Sequence, residues 1–89
     1  MLFLILWKTD PKLLPDKIPF FSPPKQLKSV LEYVTPGGLF IEIVEADSVE
    51  PVTEYVNKGI AACEKVDVYP VLTVKEWLKI SRSDVPLAS

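Results

Sequence analysis

Histidine is absent from the 89-residue chain, and cysteine occurs once, as Cys63. The first absence removes the commonest metal ligand and the commonest general acid–base group. A single thiol excludes an internal disulfide framework and leaves too few sulfur ligands for a cysteine-based zinc site. Basic residues do not exceed acidic ones: ten Lys and Arg stand against twelve Asp and Glu, for a formal charge of −2 and a pI near 5.0. That balance gives no footprint for binding nucleic acid or an anionic membrane surface. Glycine-rich phosphate loops, nucleophile elbows and Ser/His/Asp sets are missing as well. Long apolar runs are lacking too. Residues 1–7 are all apolar, but Lys8 follows them rather than preceding them. Seven residues fall far short of the ~20 needed for a membrane helix, and no cleavable signal pattern surrounds them. No cofactor, metal, nucleic acid or membrane is therefore expected, and the unpaired cysteine points to a cytoplasmic setting.

What the chain does have is a composition 48% apolar, 10% aromatic and 25% charged. This is the balance of a globular core rather than of disorder. The length suits one domain, expected over residues 1–80 with a frayed polar tail over 81–89. So small a unit buries only roughly 60–65% of its unfolded surface, so its stability is marginal or shared with a partner.

The run over residues 1–7 reads as a strand buried on both faces. Residues 10–24 then carry Pro11, Pro15, Pro19, Pro23 and Pro24. Each lacks an N–H and clashes with the carbonyl four residues back, so only a short or distorted helix survives. Leu14, Ile18 and Phe21 still recur on one helical face. A polyproline docking motif would repeat every three residues, and these prolines do not.

Residues 27–34 read two ways. Leu27, Val30, Leu31 and Val34 fit an amphipathic helix. The sequel Thr35-Pro36-Gly37-Gly38 fits a hairpin, with Pro36 and Gly37 central in a type II turn. In that hairpin Tyr33 opposes Phe40 and Leu31 opposes Glu42. Tyr33, Phe40, Glu42 and Val44 then share one face. Periodicity does not decide between helix and strand.

Further on, Asp47 with Glu50 resembles a capping box, and Val49, Val52, Val56, Ile60 and Cys63 form an apolar stripe at helical spacing. Gly59 weakens that helix near its end and is compatible with close packing there. Residues 66–74 are β-rich, with Pro70 confining the strand to an edge or a bulge. Thr73 with Glu76 forms a second capping box, opening a helix that carries Trp77, Leu78 and Ile80.

The order strand, broken helix, hairpin, helix, strand is a βαββαβ ferredoxin-like order. The stretch Gly38-Leu39-Phe40-Ile41-Glu42-Ile43-Val44-Glu45-Ala46-Asp47, a helix, then Val68-Tyr69-Pro70-Val71-Leu72, resembles a family of short prokaryotic proteins of unknown function. Its members carry a glycine-led strand running into an acidic helix entry, a helix and a closing V-x-P-V-L strand. The resemblance implies an α+β fold of the dimeric α/β-barrel superfamily: a four-stranded antiparallel sheet with helices on one face. It favours a strand at residues 27–34. It departs over residues 10–28, where the family has a regular helix that the prolines here prevent.

A sheet with helices on one face leaves the other face bare, and soluble monomers seldom tolerate such a patch. A homodimer through the open face is the expected partner state. Burying about 800 Å² per subunit would contribute on the order of 25 kcal/mol before the costs of association.

The candidate ligand-binding residues are Glu42, Tyr33, Phe40 and Trp7. Glu42 interrupts an apolar strand, and burial there would raise its pKa. Tyr33 would reach it across the hairpin, while Trp7 and Phe40 would line a pocket for an apolar or aromatic ligand. The blander reading makes Trp7, Trp77, Phe20 and Phe21 core aromatics. Glu45 and Asp47 could hold a hard cation, but a helix cap explains Asp47 better. The expected function is a non-catalytic homodimeric ligand-binding or protein-interaction module. The alternative is a monooxygenase- or isomerase-like enzyme that uses an inter-sheet cavity.

Overall fold

A computed structural model describes residues 1–17 and 22–84 of the chain. Ile18 and Phe21 of the first apolar face, Phe20, and residues 85–89 of the expected tail lie outside the described residues.

Strand β1 (Leu2–Lys8) is the apolar run read from the sequence. It is followed by α1 (Leu14–Lys17), a helix of only four residues. Asp10 starts the turn: its side chain accepts from the Lys12 N–H at 2.9 Å, and its carbonyl accepts from Leu13 and Leu14. Pro15 falls in the first turn of this helix, where no intrahelical donor is needed.

The hairpin is β2 (Lys28–Val34) and β3 (Leu39–Glu45). Residues 28–34 are a strand, because the turn that follows them closes a ladder no helix could use. Helix α2 (Glu50–Gly59) continues into a 3₁₀ turn at Ile60–Ala62. Strand β4 (Lys65–Val71) and helix α3 (Val74–Asp84) complete the order. Residues 81–84, expected in the frayed tail, continue this last helix.

The four strands form one antiparallel sheet in the order β2-β3-β1-β4, with both βαβ crossovers skipping a strand. This is the ferredoxin-like α+β arrangement. Strand β1 sits centrally, pairing Leu4 with Ile43 on one side and with Tyr69 on the other. Both outer strands are irregular. A bulge between Ser29 and Leu31 leaves Val30 out of the β2 ladder, and Pro70 brings no N–H to β4.

The turn differs from the two-residue expectation. Gly37 does not have a positive φ; Gly38 does, at 96°. The Gly38 N–H bonds the Thr35 carbonyl, and the Thr35 N–H bonds the Leu39 carbonyl at 2.8 Å. The connection is a three-residue loop with a left-handed glycine at its end. One added residue moves the register by one and turns the β2 side chains from Leu31 to Val34 to the opposite face, until the bulge restores the pairing of Ser29 with Val44. Val34 therefore faces Phe40, Glu32 faces Glu42 and Tyr33 faces Ile41. A Cβ on Gly38 would also lie 2.1 Å from the Thr9 carbonyl oxygen, so glycine is required there.

Alternation along the strands separates two faces. Phe3, Ile5, Trp7, Phe40, Glu42 and Val44 are buried beneath α2, joined by Leu14 from α1 and by Leu27. Helix α2 turns Val52, Tyr55 and Gly59 inward, with Val56 and Cys63 packed beside them. The expected stripe is thus rotated: Val49 and Ile60 are about half exposed. Gly59 explains the rotation, because a Cβ there would stand 2.6 Å from the Trp7 ring. The bare glycine lets the helix settle on the indole. The helix also begins later than Asp47 suggests. Val49 holds the N-cap position without a side-chain bond, Pro51 fills the first turn, and the Glu50 carboxylate bonds its own N–H and Ser48. Pro51 needs no intrahelical donor there, which sets the helix start.

No described helix lies on the other sheet face. Its residues are Leu2, Leu4 and Leu6; Leu39, Ile41 and Ile43; Leu31 and Tyr33; and Asp67, Tyr69 and Val71. Helix α3 leaves the sheet instead of packing on it, and every residue from 72 to 80 is exposed. The Thr73–Glu76 capping box is formed in both directions at 3.0 Å.

Candidate functional site

Three of the four candidate residues meet beneath α2. Trp7 on β1, with Phe40 and Glu42 on β3, all point to the covered face, and Trp7 and Glu42 are 0% exposed. Tyr33 is separated from them. The register set by Gly38 places it on the open face beside Ile41, 63% exposed, where it cannot reach Glu42.

The residue that does reach Glu42 is Tyr55 of α2. Its hydroxyl donates to Glu42 Oε1 at 2.8 Å and lies 3.1 Å from Oε2. The Trp7 indole Nε1–H donates to Oε1 at 3.0 Å. The two rings meet edge to face, with centroids 5.4 Å apart. Tyr55 was not singled out from the sequence. Its signal was its place three residues after Val52 and four before Gly59, an inward face once Gly59 is seen as the contact point.

Burial pushes the Glu42 carboxyl up to about 7, more than the Trp7 and Tyr55 hydrogen bonds pull it down. The charge of Glu32, directly opposite on β2, adds to the rise. Glu32 itself is exposed and accepts a bond from the Ser29 hydroxyl at 2.8 Å. The Tyr55 hydroxyl is pushed up strongly, first by burial and then by the neighbouring Glu42 charge, so it stays a donor.

Chemically, this is a sealed proton-holding trio. A buried carboxyl titrating near neutrality has the pKa of a general base, yet no atom of Glu42 meets solvent. Among the described residues no buried side-chain polar atom lacks a partner, so the cluster satisfies itself. Glu45 and Asp47 do not join a ligand set; no group of three metal-binding side chains occurs among the described residues. No described helix is long and apolar enough to cross a membrane.

The open face is the second candidate. One middle row is apolar across the sheet, Leu31, Ile43, Leu4 and Tyr69; the next is Tyr33, Ile41 and Leu6 and ends in Asp67 on the outer strand β4. Its ends are charged. Lys28 opposes Glu45 at one end, while Lys8 opposes Lys65 at the other, where Lys65 also pairs with Asp67 at 3.7 Å. An apolar centre with a charged rim is the anatomy of a protein interface.

Fold and site together define an α+β sheet protein with one sealed face and one bare one. No family model, curated protein or solved structure matches the chain.

Proposed function

We propose that the protein is a non-catalytic homodimeric module whose two sheets face each other across the surface of Leu4, Leu6, Ile41 and Ile43. The observation that carries this reading is the largely apolar, charge-rimmed face that no described element covers. Water over such a surface is unfavourable, and a second copy with the same face is self-complementary under a two-fold axis. Membership of the short prokaryotic family of the dimeric α/β-barrel superfamily fits the same geometry, as does a cytoplasmic setting for the lone Cys63. Space left between the two faces, flanked by Tyr33 and Tyr69, suits a small apolar or aromatic ligand rather than a charged one.

The enzyme alternative draws less support. A superfamily enzyme would present a polar catalytic group to the inter-sheet space, whereas Glu42 and Tyr55 lie on the far side of the sheet, under α2. Sedimentation velocity tests the proposal. The wild-type chain is expected to run as a dimer of roughly 20 kDa and Ile43→Lys as a folded monomer, since one lysine per copy would be buried unpaired at the centre. A wild-type monomer up to near-millimolar concentration refutes it.

A further inference from the structure

Helix α3 is folded, yet its residues up to Ile80 are not covered by any other described element. Its Thr73–Glu76 box supplies its own start, yet an isolated helix of 11 residues is marginal in water. Val74, Trp77 and Leu78 line one side at spacings of three and four, and they are 74%, 58% and 44% exposed. Lys75 and Lys79 stand one turn apart on its flank. An amphipathic helix with a tryptophan at the centre of a bare face is built to dock.

Where α3 leaves the sheet, a groove of about 690 Å³ lies between its first turn and the last row of the open face. Met1, Leu2, Pro70, Val71 and Leu72 form its walls, and Glu45 and Glu76 mark its rim. The capping bonds hold the Glu76 carboxyl below the usual carboxylate range, so the rim stays negative at neutral pH. The groove is continuous with the open face through Leu2 and Val71. Its acidic rim complements the lysine flank of the helix.

From these features we infer that α3 is an exchanged arm: the Val74–Trp77–Leu78 side of one copy seats in this groove on the second copy. The inference rests on the dimer proposed above and says what completes it. Scaled by the ~150–250 Å² of a large side chain, the exposures of Leu72, Val74, Trp77, Leu78 and Ile80 amount to about 400–670 Å² of bare apolar surface. A stable pair needs about 800 Å² per partner, more than the arm alone supplies, and the open sheet face adds to it with Tyr33 and Tyr69, 63% and 50% exposed. Trp77 is the anchor, a large aromatic entering an apolar pocket.

The test is sedimentation of the full chain carrying Trp77→Ser with Leu78→Ser, beside wild type and Ile43→Lys. Both arm positions are exposed, so the sheet should persist in the variant, which its circular dichroism spectrum checks. The inference expects a wild-type dimer whose dissociation constant rises about thirtyfold or more in the arm variant. Lys75→Glu with Lys79→Glu should weaken the dimer as well, and added salt should narrow that difference. A dimer indifferent to the arm variant but broken by Ile43→Lys overturns arm exchange and leaves the sheet-face dimer standing. A wild-type monomer overturns both. The Trp77 emission, isolated by subtracting a Trp77→Phe spectrum, should shift to the blue as concentration rises. A blue shift that instead needs phosphatidylserine vesicles, with the protein still monomeric, overturns the inference in favour of a lipid surface.

Discussion

Glu42 makes the stability of the fold depend on pH in a direction opposite to that of most carboxylates. In the folded chain its pKa is pushed up to about 7, against 4.5 for an unperturbed glutamate. The folded state therefore holds this proton more tightly than the unfolded state does. Below pH 4.5 both states are protonated and the stabilising difference is fully present. Between 4.5 and 7 the unfolded carboxyl is ionised while the folded one is not, and stability falls by about 1.4 kcal/mol per pH unit. Above 7 the loss levels off, at about 3 kcal/mol in total. The perturbation is Glu42→Gln, which cannot titrate but still offers a carbonyl oxygen to the Tyr55 hydroxyl and the Trp7 N–H. Urea unfolding of both proteins from pH 4 to pH 8, at one fixed concentration, isolates the effect, because the other acids cancel in the difference. The wild type is expected to lose about 3 kcal/mol relative to the glutamine variant across that range. Parallel stability curves would refute the reasoning, since they would mean that the carboxyl is either ionised throughout or hydrated.

Two further outcomes follow from the same packing. Gly38→Ala meets both a φ of 96° and the Thr9 carbonyl, and should cost about 2 kcal/mol or more, read as a lower urea midpoint with the slope unchanged. Tyr55→Phe removes a donor from the buried carboxyl; a loss of about 1–2 kcal/mol at neutral pH is expected. The titration midpoint of the Glu42 carboxyl should rise, which carbon-detected NMR of that side chain would show.

Much of the architecture was legible because strong local signals agreed. The apolar run of β1, the Pro-Gly-Gly reversal, Pro70 and the Thr73–Glu76 box mark strand, turn, outer strand and helix start, and together they give the βαββαβ order. The site was harder to read, for reasons of register. A two-residue turn and a three-residue turn both suit Thr35-Pro36-Gly37-Gly38. The choice between them depends on Gly38 closing on the Thr9 backbone, a contact from far along the chain. That choice moved Tyr33 away from Glu42. Tyr55 escaped notice because valines mark a helical face loudly, while a glycine that admits Trp7 marks it silently. Asp47 gave way as a cap because Pro51 fixes where α2 can begin.

The irregular outer strands bear on how far self-association can go. A sheet whose borders carry continuous rows of free backbone donors and acceptors invites further strands, and such growth has no natural end. Here one border is interrupted at Val30 and the other carries an imino acid at Pro70. Neighbouring molecules find poor templates on either side, so edge-to-edge growth into a fibril is disfavoured, and the dimer proposed above would use the broad surface instead.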